Sequence, residues 1–480
     1  MRKETTRRQF LGTAAIIGTG LLIPDLIPAS ALGRDGKTAP SQRIRMGVIG
    51  CGGHSRWNIN LMLHNPEQQI VALCDPDESH LIARKDMVEK FYAKESGRSY
   101  SADPYKDFRD LVNRKDIDAV DIITQDHWHV LMAVFAMKAG KHVICEKPVL
   151  TIEEGKILTE IQKKTGKVYL TASQNRTVDT NQFLVNVVRN GLLGDLKRIK
   201  ILLPSRGVRR EKEKRSFKVS PIPKNFDYEL WTGPAPMLPY IPARIHDTWR
   251  YNIAYSGGVL PDWGAHYINL ALWALDSDTD PAVAYFGNGD NPKTKWNYPD
   301  PEDPWNYSST FDYTAVFKSG VSMRVWNESP AIKFEGTKGW IMAKGPSLYA
   351  SDLTASSDKI LSWRPGPHDI DVGKDLQYCM VSRTDKKGLP GVQGGEHVHF
   401  THCIKTGQTP YYTAEMGASN DVVSLAGLIS MKDLNGGPIQ WDNAKKAFVG
   451  KNAEIANKSV FMSRPQRDPW TFDHVDSWIR

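Results

Sequence analysis

The amino-acid sequence predicts a two-domain α/β protein, in which a doubly wound parallel sheet precedes an α+β domain with a large, mostly antiparallel sheet. Its 480 residues exceed what a single hydrophobic core usually supports. Short apolar runs alternate with helical patterns over residues 43–172, as in chains of β-α-β units. Beyond residue 173, aromatic residues, glycines and prolines become frequent, and strand-like alternation appears. We therefore expect the domain boundary near residue 172.

The first domain is predicted element by element from these runs. Expected strands cover 44–49, 69–74, 118–123, 142–145 and 168–172. Expected helices cover 55–65, 77–95, 128–139 and 152–165. Strands that alternate with helices in this way form a parallel sheet with helices on both faces.

The second domain is predicted over residues 173–470. Alternation in 314–326 (TAVFKSGVSMRVW) predicts strands, and the apolar pattern of 411–434 predicts a helix. The segment 465–472 (PQRDPWTF) is expected to be irregular, and residues 471–480 are expected to form a tail.

Residues 1–31 are typical of a twin-arginine signal peptide. Arg7 and Arg8 precede a mostly apolar stretch, and a small-x-small cleavage signal ends at Ala31. A membrane anchor is the alternative, but two glycines, a proline and an aspartate interrupt this short apolar stretch. We therefore expect the twin-arginine machinery to export the protein to the periplasm, where it is soluble after cleavage, with 32–42 as a polar linker.

Charge and cysteine content exclude several other classes of protein. The formal net charge is +8, but the basic run 206–218 contains a single aromatic residue, so no nucleic-acid partner is expected. Cys51, Cys74 and Cys145 each end an apolar run, which indicates packing and not a disulfide framework. No Cys/His spacing predicts a zinc site, so no metal is expected.

A glycine-rich turn follows the first predicted strand and opens the first predicted helix. Glycines at this turn permit a tight bend and let a pyrophosphate approach the backbone amides. Asp75 ends the second strand, where a carboxylate binds a ribose diol and repels a phosphate, so NAD is favoured over NADP. Helix capping is the alternative role of Asp75. The predicted cofactor-binding residues here are Gly50, Gly52, Gly53, His54, Ser55 and Asp75.

Two further motifs follow strands at the same edge of the sheet. The motif TQDHWH occupies 124–129, and CEKP occupies 145–148. Ligands of open parallel sheets bind at the carboxyl ends of the strands. We therefore add five residues to the predicted cofactor site, namely Thr124, His127, His129, Glu146 and Lys147.

With these motifs, the chain resembles the Gfo/Idh/MocA family of glucose-fructose oxidoreductase and inositol dehydrogenase. The resemblance runs from Arg43 to about Trp470 and includes the later motif DWGAH at 262–266. It implies a Rossmann domain followed by an α/β domain whose open sheet often mediates oligomerisation, so a homo-oligomer is expected. It also implies that Lys147, Asp262 and His266 gather around the nicotinamide and the reacting hydroxyl.

The residue types at these three positions suit that chemistry. Asp262 and His266 are four apart in a helical pattern, so they share one face. Histidine can take the proton of an alcohol as hydride leaves, and a lysine can stabilise negative charge on the same oxygen. A capped or core histidine is the alternative interpretation of His266.

Four more residues are predicted to contact the substrate, although core packing is an alternative for the tryptophan. They are Gln174, Arg176, Trp249 and Arg250. The leading hypothesis is an oxidoreductase with tightly bound NAD that oxidises a hydroxyl of a sugar or glycoside, carbon 3 being one candidate position. A redox-assisted glycoside hydrolase of the same family is the alternative, although the Tyr-Pro-Thr-His segment of its best-known group is absent. A non-catalytic sugar-binding protein is a second alternative.

Overall fold

A computed structural model describes residues 38–205, 215–288, 298–345, 347–351, 360–363 and 395–480. The predicted signal peptide, most of the linker and residues 206–214 of the basic run lie outside these ranges. Within them, no helix combines the length and the apolar composition that crossing a membrane requires.

The first domain is a six-stranded sheet in which every neighbouring pair is parallel. The strands are β1 (Ile44–Ile49), β2 (Gln68–Cys74), β3 (Asp103–Tyr105), β4 (Ala119–Ile122), β5 (His142–Glu146) and β6 (Tyr169–Ala172). The helices are α1 (Ser55–Leu63), α2 (Glu78–Ser96), α3 (Phe108–Val112), α4 (Asp126–Lys138) and α5 (Ile152–Thr165). The strand order β3-β2-β1-β4-β5-β6 confirms the predicted Rossmann sheet, with its switch point between β1 and β4.

The second sheet has ten described strands in the order β14-β13-β12-β11-β7-β10-β9-β8-β15-β16. They are β7 (Leu196–Leu203), β8 (Ala284–Gly287), β9 (Asp312–Val316), β10 (Ser322–Asn327), β11 (Ala331–Gly336), β12 (Trp340–Lys344), β13 (Ser347–Ser351), β14 (Ile360–Trp363), β15 (Ile439–Asp442) and β16 (Ala447–Val449). Only the β7–β10 pair is parallel among these strands, so the predicted mostly antiparallel sheet is confirmed.

The helices of the remaining chain are α6 (Asp179–Arg189), α7 (Tyr228–Thr232), α8 (Val259–Ala274), α9 (Glu396–Thr406), α10 (Ala414–Asp433) and α11 (Ala453–Asn457). Short 3₁₀ segments occupy Pro40–Gln42, Gln174–Thr177, Pro242–Arg244, His246–Tyr251 and Phe472–Trp478. Helix α10 confirms the helical pattern predicted over 411–434.

The predicted alternation in 314–326 forms the antiparallel pair β9–β10, with Ser322 opposite Val316. One face of this sheet carries buried apolar residues that share a core with α8 and α10. Arg324 and Asp312 form an ion pair on the other, more polar face. That this sheet mediates oligomerisation stays a prediction.

The last part of the chain returns to the Rossmann domain. Phe400 of α9 packs into the core on one side of the parallel sheet. Trp470 and Trp478 pack into the core on the other side, and both contact Phe108 of α3. The expectation of a simple tail at 471–480 is therefore corrected, because buried aromatic side chains fix this segment against α4.

Candidate functional site

A cleft of about 660 Å³ lies at the carboxyl ends of β1, β2, β4 and β5. The Rossmann strand ends form one side of it. The first turns of α8 and the 3₁₀ segment His246–Tyr251 contribute residues from the second half of the chain. The cleft therefore brings together motifs that are far apart in the sequence.

The glycine turn forms one wall of the cleft. Gly50 has φ +97°, and a Cβ there would lie 2.3 Å from the carbonyl oxygen of Ile123, so only glycine fits. A Cβ on Gly52 or Gly53 would meet no atom within 4 Å, since both residues border open space. The backbone at this turn can therefore approach a bound group closely, which fits the pyrophosphate of a dinucleotide.

Asp75 braces this turn from the end of β2. Its Oδ2 accepts a hydrogen bond of 2.6 Å from the Cys51 amide, and its Oδ1 accepts one of 2.8 Å from the Asp77 amide. Burial raises the pKa of Asp75 to about 6, so the carboxyl is mostly ionised at neutral pH. Asp75 lines the cleft, and its contact with a ribose stays a prediction.

Ser55 lies behind the turn and not in the cleft. Its hydroxyl donates to the Gly52 carbonyl at 2.7 Å and accepts from Arg84 Nε at 3.0 Å. The fully buried side chain of Ser55 thus braces the turn from the rear. A cofactor contact through its backbone amide, at the start of α1, stays a prediction.

His54 and Glu146 are joined across the cleft floor. His54 Nε2 lies 2.8 Å from Glu146 Oε1, which also accepts from Asn58 Nδ2 at 3.2 Å. The charge of Glu146 and this hydrogen bond raise the pKa of His54. Glu146 is thus hydrogen-bonded to neighbouring side chains, and it fixes the position of His54 beside the glycine turn.

Lys147 and Asp262 form the central contact of the site. Lys147 Nζ donates to Asp262 Oδ1 at 2.8 Å, and Arg250 Nε lies 3.8 Å from the other carboxylate oxygen. Burial would raise the pKa of Asp262, but the charges of Lys147 and Arg250 hold it below its usual range. Burial would lower the pKa of Lys147, but Asp262 and Glu146 raise it. Both partners are therefore charged at neutral pH.

His266 lies one helical turn after Asp262 on α8 and lines the same cleft. Burial, followed by the charge of Lys147, lowers the pKa of His266 to about 3. Its imidazole is therefore neutral at physiological pH and able to accept a proton, and the same lowered pKa makes it a weak base in the empty cleft. The three predicted catalytic residues are brought together.

The TQDHWH motif divides between the cleft and the interior. Thr124 and His129 line the cleft, and the two ring nitrogens of His129 lie near the carbonyl oxygens of Pro148 and Thr124. His127 turns the other way, with Nε2 3.2 Å from the Trp231 carbonyl oxygen and its ring against Tyr255. The predicted cofactor contact of His127 is therefore corrected to a packing role.

Three of the four predicted substrate residues line the cleft. Gln174 donates to Glu396 Oε1 at 3.2 Å, and the Arg250 guanidinium lies 4.3 Å from the Trp249 ring centroid. Arg176 is the exception.

Arg176 is almost completely buried away from the cleft. Its guanidinium pairs with Asp278 and donates to Asn269 and to the Tyr411 carbonyl. All its nitrogens are thus engaged in structural bonds, and the predicted substrate contact is corrected.

Sequence reasoning missed several residues of the cleft. Asp126 accepts a 2.6 Å hydrogen bond from Ser256, and burial raises its pKa to about 7. Its place in the TQDHWH motif was an available signal. Trp231 of α7 and His246 of the 3₁₀ segment also line the cleft, but both elements are too short to show a periodic pattern.

Comparison with known families agrees with this architecture. Residues 44–173 match the Gfo/Idh/MocA description "Oxidoreductase family, NAD-binding Rossmann fold". Residues 180–293 match the C-terminal alpha/beta domain of the same family. Together the two matches cover about half of the chain.

Relatives with assigned names include glycoside hydrolases. A glycosyl hydrolase family 109 protein of Shewanella pealeana is 32% identical over 206 residues, which are 40% of this chain and 44% of the relative. An alpha-N-acetylgalactosaminidase of Shewanella oneidensis is 28% identical over 210 residues, with the same coverage. The alignments thus span less than half the length of these curated relatives.

Solved structures of oxidoreductases share the fold. The aldose-aldose oxidoreductase of Caulobacter crescentus, complexed with glycerol, has a TM-score of 0.56 at 18% identity, covering 83% of this chain and 99% of that one. The WlbA dehydrogenase of Bordetella pertussis, complexed with NADH and UDP-GlcNAcA, has a TM-score of 0.55 at 18% identity and the same coverage. At these identities the likeness shows the fold alone.

Proposed function

Because the chain belongs to the Gfo/Idh/MocA oxidoreductase family, we propose that it oxidises a hydroxyl group of a sugar or glycoside with NAD bound in the cleft. One observation carries the proposal. Lys147, Asp262 and the neutral His266 converge in a cleft that also contains the glycine turn. That arrangement combines a dinucleotide site with a proton acceptor and a cation.

The residues at the strand ends fit a dinucleotide. The turn at Gly52 and Gly53 would hold the pyrophosphate, and Asp75 would hold the adenosine ribose. The carboxylate of Asp75 would repel a 2′-phosphate, which favours NAD over NADP. When bound, NAD supplies a nicotinamide ring that accepts a hydride from the substrate carbon.

Side chains of the protein accept the proton of the hydroxyl and stabilise the charge on its oxygen. The neutral imidazole of His266 accepts this proton as the carbon loses its hydride, so the alcohol becomes a carbonyl. Lys147 donates a hydrogen bond to the same oxygen and stabilises the negative charge that develops there. Asp262 holds the ammonium group of Lys147 in place and keeps it charged.

A second candidate function is redox-assisted glycoside hydrolysis, which the names of the family 109 relatives favour. Oxidation at carbon 3 would acidify the neighbouring C–H, so that the aglycone leaves by elimination. Water would then add and the carbonyl would be reduced again, returning the hydride. The first half of this reaction uses the same Lys147 and His266, so the site supports either outcome.

One experiment tests the proposal and separates the two candidates. The purified protein is denatured and the released nucleotide identified, which we expect to be NAD. The intact enzyme is then offered a panel of glucosides and α-N-acetylgalactosaminides, and keto-sugar formation and aglycone release are measured separately. Keto-sugar without aglycone identifies a dehydrogenase, and free aglycone identifies a hydrolase. If neither product forms and no nucleotide is released, the proposal is wrong.

We further propose that the protein works in the periplasm with a cofactor that it acquires before export. The twin-arginine route carries folded proteins, so tightly bound NAD could cross with the enzyme. Such a cofactor must be reoxidised in place, by a second sugar or by an external acceptor. Replacing Arg7 and Arg8 by lysine should leave the precursor in the cytoplasm. Normal export of this variant would rule out the route.

A further inference from the structure

Three metal-ligating side chains meet where the cleft reaches the end of β2. They are Asp77, His80 and His246, and one ligand atom from each lies within 4.8 Å of the others. Asp77 Oδ2 lies 3.6 Å from His246 Nε2, and the two imidazole ring centroids are 4.8 Å apart. The proposed oxidation uses none of these three side chains.

The α2 side of this cluster presents two ligands from one helical turn. Asp77 is the N-cap of α2, and its Oδ1 accepts from the Ser79 amide at 2.9 Å, which leaves Oδ2 facing His246. His80 follows three residues later, so its side chain lies on the same side of the helix. Asp75 Oδ1 lies 4.0 Å from His80 Nδ1, which is beyond hydrogen-bond distance.

His246 comes from the separate 3₁₀ segment His246–Tyr251 and has φ +53°, a conformation that residues other than glycine rarely adopt. The fold thus places an imidazole against Asp77 in spite of this backbone cost.

We propose that Asp77, His80 and His246 bind one divalent transition-metal ion, with Zn²⁺ as the best match. Two imidazoles and one carboxylate are a typical zinc donor set, whereas Ca²⁺ and Mg²⁺ prefer oxygen ligands alone. Zinc bonds of about 2.0–2.2 Å at tetrahedral angles place ligand atoms roughly 3.5 Å apart, close to the Asp77–His246 distance.

Such an ion would join two parts of the cleft wall. Asp77 and His80 belong to α2, while the segment that carries His246 also carries Trp249 and Arg250. The ion would therefore fix the position of this segment as a structural link. The proposal goes beyond the proposed function, because it holds whatever reaction the enzyme catalyses.

The test uses the full-length protein without a histidine tag, after dialysis against a chelator. Zn²⁺ is titrated calorimetrically, with and without NAD, and Co²⁺ provides a visible absorption band as a second readout. We expect one ion per chain and a higher melting temperature with Zn²⁺. Asp77→Ser keeps a helix cap and His246→Asn suits a left-handed backbone, so both variants should fold. Each should weaken Zn²⁺ binding at least about tenfold, since a ligand is lost.

His474→Asn is the matched control. His474 Nδ1 lies 3.4 Å from Asp468 Oδ1 at the surface, a histidine–carboxylate pair that should leave Zn²⁺ affinity unchanged when it is broken. The proposal is overturned if the wild-type protein binds no stoichiometric Zn²⁺ either with or without NAD. It is equally overturned if the Asp77 and His246 variants bind the ion as tightly as the wild-type protein does.

Discussion

The two ends of the cleft are held together in different ways. At the end that contains Lys147, a part-buried ion pair with Asp262 joins the Rossmann domain to α8 over a large sequence separation. At the end that contains Asp75, the carboxylate accepts backbone amides from Cys51 and Asp77, which are close to it in the chain. We call these the reaction end and the ribose end.

The two ends differ because contacts of the ribose end are local in the sequence, whereas contacts of the reaction end form only in the folded protein. The ribose end is formed within one β-α-β unit, so its parts can be recognised together in the sequence. The reaction end exists only when two domains meet, and burial together with the neighbouring charges then sets the pKa values of its groups. We therefore expect substitutions at the reaction end to have larger effects than substitutions at the ribose end.

The largest expected effect is that of His266→Ala. Loss of the proton acceptor should lower turnover by roughly 10²–10⁴-fold, the usual contribution of a positioned base. Cofactor content and folding should stay close to wild type, since the glycine turn and Asp75 are untouched. The measurement is single-turnover reduction of bound NAD by a reactive glycoside, with His64→Ala as a control at an exposed histidine. Reduction of bound NAD at the wild-type rate by the His266 variant would show that His266 is not the proton acceptor.

Lys147→Met should lower both turnover and stability. The change leaves the carboxylate of Asp262 buried, with Arg250 at 3.8 Å as its remaining nearby cation. Breaking a fully buried pair costs about 3–5 kcal/mol of unfolding free energy, and the loss here should be smaller because both side chains are partly exposed and Arg250 remains nearby. Denaturant unfolding should show that Asp262→Asn in the same chain recovers part of this loss. A double variant with no recovery would show that the pair does not determine the stability of this region.

In turnover, the losses from Lys147→Ala and His266→Ala should not add fully, because both groups act on one oxygen. Their double variant should therefore be faster than the product of the single losses predicts. Full additivity in single-turnover measurements would place the two groups on different atoms.

Asp126→Asn should change how stability depends on pH. Burial raises the pKa of Asp126 to about 7, so the folded protein keeps a proton that the unfolded chain releases above about pH 4. The wild-type protein therefore loses stability from this group as pH rises from about 4 to 7, by at most about 1.4 kcal/mol per pH unit. Asparagine can still accept the hydrogen bond from Ser256 and does not titrate.

Thermal unfolding at pH 5, 6, 7 and 8 tests this effect, since other titrating groups contribute equally to both proteins. The melting temperature of the variant minus that of the wild type should increase as the pH rises to 7. A difference that is the same at all four values would show that Asp126 is ionised throughout.

The smallest expected effect belongs to the ribose end. Asp75→Ala should weaken NAD binding relative to NADP, since a charged hydrogen bond to the ribose contributes roughly 1.5–3 kcal/mol. Asp75→Asn is the matched comparison, because it keeps an acceptor for the Cys51 amide and removes the charge. Dissociation constants for both cofactors provide the measurement. An unchanged preference in both variants would remove Asp75 from the cofactor site.

The sequence predicted the Rossmann strands well because apolar runs and glycine turns are local signals. It missed β3 and α3, which have three and five residues and are too short to show a period. It also gave no indication that α9 and Phe472–Trp478 complete the Rossmann cores, because such packing depends on contacts across the whole chain.

The errors in the site have a similar cause. Arg176 follows a strand end as a substrate-binding arginine would, and only the fold reveals Asp278 beside it. His127 and His129 are two residues apart in one motif, yet the start of α4 turns one inward and the other toward the cleft. Asp77 and His80 join His246 only after folding, so their spacing could not predict a metal site.

The aromatic residues at the end of the chain also bear on the order in which the protein can fold during synthesis. Trp470 and Trp478 leave the ribosome long after the strands and helices of the Rossmann core that they complete. Until then, Phe108 and Trp128 lack their final partners, although the sheet around them was translated long before. From the synthesis of Phe108 and Trp128 until Trp470 and Trp478 follow, the nascent domain therefore exposes apolar surface that a chaperone can bind.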